Sequence, residues 1–277
     1  MATRDELEAA IDAHPDQADT YLVLADLLQE QQDPRGELIA LHRSKDPGAK
    51  ARATVLQREL GPVAPRYGGC AWFCGFVSRY KNIVDEDDQA EVRATLDHPS
   101  LRHLVDLDLD LAGSEYDERQ WLIEAIAAQP RPCWRSLSIN SYWRGGNDPP
   151  SGELDLSALW AVLPRIQTVR VTARYLRPGL DELDHGTLER LTLDGEVTAS
   201  SLRPVFSGST PKLAELELYD VDADQLGAVI EAATAPPALA KLVVSSPRSR
   251  VVPAISARYP MVTFVDRERE RYEQTGE

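Results

Sequence analysis

Three kinds of side chain in this 277-residue chain could do chemistry: three cysteines, five histidines, and carboxylates in enough excess to leave a net charge of −15. Cys70 and Cys74 stand four apart with no histidine or second cysteine pair beside them, and Cys133 stands alone. Structural zinc takes four ligands, so the pair reads as two buried structural thiols, and neither a metal nor another cofactor is expected. An odd cysteine count, too small for a disulfide framework, predicts a reducing, cytoplasmic setting. His14, His42, His98, His103 and His185 are scattered, and His98 and His103 fall five apart, off the spacing of a zinc-protease helix. No glycine-rich phosphate loop and no G-x-S-x-G elbow occurs. Two nucleophilic arrangements stay open. Cys70 or Cys133 could meet a distant histidine, since triads assemble from separated residues, and an enzyme site could lie near Cys70 and Cys74.

The carboxylates show the sharper pattern. In "HLVDLDLDL", His103 to Leu111, leucine and aspartate alternate, which in a strand sets Asp106, Asp108 and Asp110 on one face and the leucines on the other. Upstream, "NIVDEDDQAE" adds Asp85, Glu86, Asp87 and Asp88. Their spacing lacks the glycine and terminal glutamate of a calcium loop. So acidic a chain repels nucleic acid and anionic membranes and attracts basic proteins. The polar, acidic N-terminus has no signal-peptide core, and no apolar run reaches the roughly 18–20 residues of a membrane span.

These residues have to be positioned by helices first. "DELEAAIDAH" places Leu7, Ala10 and Ile11 on one face with acids at the start, and "HPD" ends it. "ADTYLVLADLLQEQ" spaces Tyr21, Leu24, Leu27 and Leu28 as a second helix, with Asp19 or Thr20 as its cap. In "DPRGELIALHRS", Asp33 caps and Pro34 takes the first helical position, with Leu38, Ile39 and Leu41 apolar. "AKARATVLQREL" runs to the stop Gly61-Pro62. The segment "ELEAAIDAHPDQADTYLVLADLLQEQQDPRGELIALH" resembles the short helical repeat-companion domain that precedes leucine-rich repeats in many bacterial proteins. The shared marks are the "HPD" break, the "YLVLADLLQE" helix and the "DPRGELI" turn. Leu27 stands where that family has tryptophan. The resemblance covers roughly the first 45 residues. It implies a module, residues 1–62, attached to a repeat array, with no catalytic activity.

After "CAWFCGFVSRY", read as the strand that begins a sheet, the pattern L-x-x-L-x-L recurs as "LVDLDL", "WRSLSI", "IQTVRV", "LERLTL", "LAELEL" and "LAKLVV", with "MVTFVDR" a degenerate seventh. Helical segments separate them. "DERQWLIEAIAAQ" and "DADQLGAVIEAATA", each with an aspartate cap, are the clearest, and "SALWAVLP" and "TASSLRPVF" are shorter. Strand and helix repeated at about 22–32 residues resembles the leucine-rich-repeat family. The resemblance implies an α/β solenoid over residues 63–277, with a parallel sheet on its concave face and helices on its convex face. Ala112, Tyr142, Glu196, Val221 and Pro247 stand where the family's ladder asparagine would be, so the array is expected to be irregular. "NSYWRGGNDPPSGE" reads as a projecting loop.

In such strands the residues between the leucines line the concave face. After Asp106, Asp108 and Asp110 the rows are Ser136, Ser138, Asn140; Thr168, Arg170, Thr172; Arg190, Thr192, Asp194; Glu215, Glu217, Tyr219; and Lys241, Val243, Ser245. The expected function is protein–protein binding without chemistry. Asp106, Asp108, Asp110, Asn140, Arg170, Asp194, Glu217 and Tyr219, with the loop aromatics Tyr142 and Trp143, form the partner site. The acidic end suits an intracellular regulator or inhibitor that holds a basic partner, such as a nucleic-acid-binding factor or signalling enzyme. A scaffold contacting partners through the helical module is the alternative.

Overall fold

The computed structural model describes residues 2–65, 68–84, 88–111, 119–141, 152–183, 186–245 and 251–265. The protein is α/β, and its described residues hold ten α-helices and ten strands, paired mostly in parallel. They divide into two compact units, Met1–Leu109 with Arg131–Arg135, and Asp110–Pro130 with Ser136–Glu277. The division does not fall at Gly61-Pro62. The Trp/Phe-rich stretch sends Cys74 and Phe76 into the same core as Leu7, Ile11, Tyr21, Leu24, Leu28 and Ile39, so the helices and that stretch share one core.

In the first unit, α1 (Arg4–Ala13), α2 (Ala18–Glu30), α3 (Pro34–Arg43) and α4 (Pro47–Leu60) pack in succession. Thr3 and Glu6 close a capping box on α1, Asp33 accepts the Arg35 N–H at the start of α3, and Asp46 accepts that of Gly48 on α4. At α2 the expected cap is replaced: Gln17 holds the N-cap without a side-chain bond, and Asp19 and Thr20 lie inside the first turn. Along α1, Leu7 and Ile11 are buried but Ala10 is exposed. Glu8 is buried instead, its carboxylate accepting from Arg4 at 2.8 Å and Arg102 at 2.6 Å. Those guanidiniums supply the counter-charge that a buried carboxylate requires.

The Trp/Phe-rich stretch is an antiparallel hairpin and not a single strand, with β1 (Gly69–Phe73) and β2 (Phe76–Val84) joined through Cys74 and Gly75. Their φ angles are 44° and 81°, the left-handed pair of a tight two-residue hairpin turn. The turn lies against α3, where a Cβ on Gly75 would stand 2.5 Å from Ile39 Cγ1. Then come α5 (Gln89–Leu96), a 3₁₀ turn at Pro99–Leu101, and β3 (Asp106–Leu111), in which the leucines are buried and the aspartates half-buried.

The second unit contains α6 (Gln120–Ala127), β4 (Ser136–Asn140), β5 (Glu153–Asp155), α7 (Ser157–Val162), β6 (Thr168–Arg177), β7 (Arg190–Val197), α8 (Arg203–Phe206), β8 (Glu215–Val221), α9 (Ala223–Glu231), β9 (Lys241–Ser245), α10 (Pro253–Arg258) and β10 (Thr263–Val265). Strands β4, β6, β7, β8, β9 and β10 lie side by side in that order, each pair parallel. Leu137, Val169, Leu191, Leu216 and Leu242 are aligned in register and essentially fully buried. Burying a leucine contributes about 1.5–3 kcal/mol, so this stripe pins the pairing: a one-residue slip would expose all of it. Residues 142–151 of the expected loop lie outside the described residues; beyond them β5 pairs with β6 and Gln120 bonds the Asp155 backbone in both directions. At α6 the expected aspartate cap is replaced by Arg119, which makes no capping bond. Asp222 does cap α9, accepting the N–H groups of Asp224 and Gln225, each at 3.0 Å. Asp222→Ala is therefore expected to cost about 1 kcal/mol, read as a lower denaturant midpoint at unchanged slope; an unmoved midpoint would show the cap to be idle. No helix among the described residues is long and apolar enough to cross a membrane.

Candidate functional site

Register brings the expected rows together in the second unit. Ser138, Arg170, Thr192, Glu217 and Val243 are consecutive partners across five strands, and so are Asn140, Thr172, Asp194, Tyr219 and Ser245. Arg170 is exposed, and Asn140, Glu217 and Tyr219 are half-buried. Asp194 departs from the expectation of an open contact residue, because it and Thr172 are buried. Glu217 accepts from the Thr192 hydroxyl at 3.3 Å and pairs with Lys241, while Arg190 donates to Thr168 at 3.1 Å. Burial first, and then the charges of Glu217 and Asp194, push the Tyr219 phenol up, so it is a neutral donor near pH 7.

The acidic row of β3 is more heavily compensated than its residues suggest. Asp106 accepts from Arg79 at 3.0 Å and Asp108 from Lys81 at 2.7 Å, two basic residues that alternate along β2 as the aspartates do along β3. Asp110, in the second unit, is half-buried. The attraction expected of three bare carboxylates is thus partly cancelled. The pairs are largely solvated, so Asp106→Asn with Asp108→Asn is expected to shift stability by less than about 1 kcal/mol. Urea melts measure it, and a loss of several kcal/mol would mean that the pairs hold the strand. Tyr142 and Trp143 lie outside the described residues, as do Asp85, Glu86, Asp87 and His185.

A second cluster forms inside the first unit. Asp12 on α1, His103 in the turn before β3, and Cys133 converge: His103 Nδ1 is 2.9 Å from Asp12 Oδ1 and 3.8 Å from Cys133 Sγ, and the thiol donates to the same carboxylate oxygen at 3.1 Å. A cysteine and a distant histidine therefore do meet. A nucleophile, though, needs its thiol on one imidazole nitrogen and an orienting group on the other. Here both neighbours sit at Nδ1, and Nε2 is buried without a hydrogen-bond partner among the described residues. Burial pushes the Asp12 carboxyl up, but hydrogen bonds from His103 and Cys133 outweigh it and leave the group below its ordinary value. The imidazole is fixed by T-shaped contacts with Phe76 at 4.7 Å and Tyr21 at 6.0 Å, and it borders a cleft of about 270 Å³ lined also by Asp16, Phe73 and Arg79. No local signal announces the cluster, because Asp12 stands 91 residues from His103 and 121 from Cys133.

Burial pushes both Cys70 and Cys74 up, away from the thiolate form that attack would need. His42 accepts the Gly75 N–H at 3.0 Å and so steadies the hairpin turn, and His98 accepts that of Ser100 at 3.2 Å. No protein-family model, no curated protein and no solved structure matches this chain.

Proposed function

We propose that this chain is a non-enzymatic protein-binding protein, an irregular leucine-rich-repeat solenoid preceded by a repeat-companion helical module. The observation that carries the reading is the register. Each L-x-x-L-x-L segment from "WRSLSI" to "LAKLVV" meets its neighbour in parallel at the expected residues, which aligns the polar side chains in rows of up to five. Such a face offers a broad, mixed-charge surface. Arg170 and Tyr219, of types enriched at binding hot spots, serve as anchors, with Asn140 and Glu217 around them. The partner in this reading is a basic protein of the cytoplasm, attracted by the net charge of −15 as a whole more than by Asp106 and Asp108.

The reading is tested by placing a photo-crosslinking residue at position 170, at 219, or at the exposed Val23 of α2, and irradiating in native lysate at low and high salt. A discrete adduct from 170 and 219 that weakens with salt is expected. An adduct from position 23 alone would favour the helical module as the contact, and none from any position would remove the binding reading.

A further inference from the structure

We propose that Asp12, His103 and Cys133 form a binding site for a borderline-soft divalent transition ion of the zinc class. The site is independent of the binding face described above. Among the described residues these three are the one group of His, Cys and carboxylate side chains able to hold an ion, their donor atoms all lying within 4.8 Å of one another. The donor set of thiolate, imidazole and carboxylate matches zinc in preference to magnesium or calcium, which take oxygen ligands. The geometry is also close. Bonds of about 2.0–2.3 Å at tetrahedral angles put ligand atoms about 3.3–3.6 Å apart. The observed separations are 2.9, 3.1 and 3.8 Å, so two contacts open by a few tenths of an ångström and one closes.

Two further observations favour an ion over a plain hydrogen-bonded triad. First, a single carboxylate oxygen, Asp12 Oδ1, meets both the imidazole and the thiol, so the three donor atoms already converge on a common centre. A divalent ion at that centre takes one bond from each. Second, in the neutral tautomer that donates Nδ1–H to the Asp12 carboxylate, His103 Nε2 is left buried without a hydrogen-bond partner among the described residues. An ion at Nδ1 moves that proton to Nε2. The only proton released to solvent is the thiol's. The Asp12 side chain, 25% exposed, provides the entry path and leaves the fourth position to water. The ion would tie α1 to the turn before β3.

The test uses the full chain, stripped with chelator and titrated with Zn²⁺ and separately with Co²⁺. One ion per chain is expected, with a near-ultraviolet thiolate-to-cobalt band, a raised melting temperature, and X-ray absorption showing one sulfur at about 2.3 Å with nitrogen and oxygen neighbours. Cys133→Ser should abolish the band, and Asp12→Asn should weaken affinity at least about tenfold, circular dichroism reporting whether each variant is folded. The absorption spectrum of the wild type decides the matter even if Cys133→Ser does not fold. No stoichiometric ion, a first shell without sulfur, or a band lost in Cys70→Ser and kept in Cys133→Ser would overturn the assignment.

Discussion

Gly195→Ala is expected to destabilise the second unit by about 3 kcal/mol, the upper range of an overpacked site. Thr172 pairs with Asp194 and Tyr175 with Glu196, so Ala173 and Arg174 of β6 oppose Gly195 alone on β7, which is a bulge. At that point the two backbones close in, and a Cβ on Gly195 would lie 1.7 Å from the Ala173 carbonyl oxygen. No rotamer relieves a clash with backbone, so the strands must part. Register also slips on the other side of β7, between Asp194 and Val197 against β8. The disturbance should therefore spread both ways. Hydrogen exchange read by mass spectrometry should show faster exchange in β6, β7 and β8, with α1–α4 unchanged. Wild-type exchange throughout β6–β8 would mean that the bulge can open without cost.

Phe76→Ala should act as strongly on the first unit, costing about 3–5 kcal/mol. Phe76 is 4% exposed and ends the hairpin turn that brings β1 and β2 against the helices. Its ring meets Tyr21 at 5.9 Å and His103 at 4.7 Å, and the Arg35 guanidinium lies over it at 5.0 Å. Removing it empties the meeting point of α2, α3 and the turn before β3, and it frees the imidazole. Faster exchange in α1, α2 and β2 together is expected. A loss below about 1 kcal/mol would mean that the core collapses onto the gap, and that His103 is held by Asp12 and Cys133 instead of by the rings.

Much of this architecture is written locally. The alternation of apolar with polar residues predicts β3, β4 and the strands from β6 to β8, because only a period of two buries one face and wets the other; β9 instead buries Val243 along with Leu242 and Val244. The same alternation predicts which residues share a row, since a slip of one would expose every leucine. Asp33, Pro34 and Asp222 set their helix starts, the two aspartates through bonds to N–H groups two or three residues away. The hairpin was less legible: "CAWFCGFVSRY" is apolar almost throughout, and only the left-handed conformation of Cys74 and Gly75 divides it into two strands.

The strands of the repeated motif, the first four helices and the order of the polar rows are therefore legible in the chain before it folds, because they depend on residues close together or repeated at a fixed spacing. Packing between distant segments set the charge of those rows and the chemistry beneath them. Arg79 and Lys81 neutralise Asp106 and Asp108 from another strand. Asp12, His103 and Cys133 meet only because α1, the turn before β3 and residue 133 pack into one unit. Such convergence depends on how faces bury one another, and no local spacing records it.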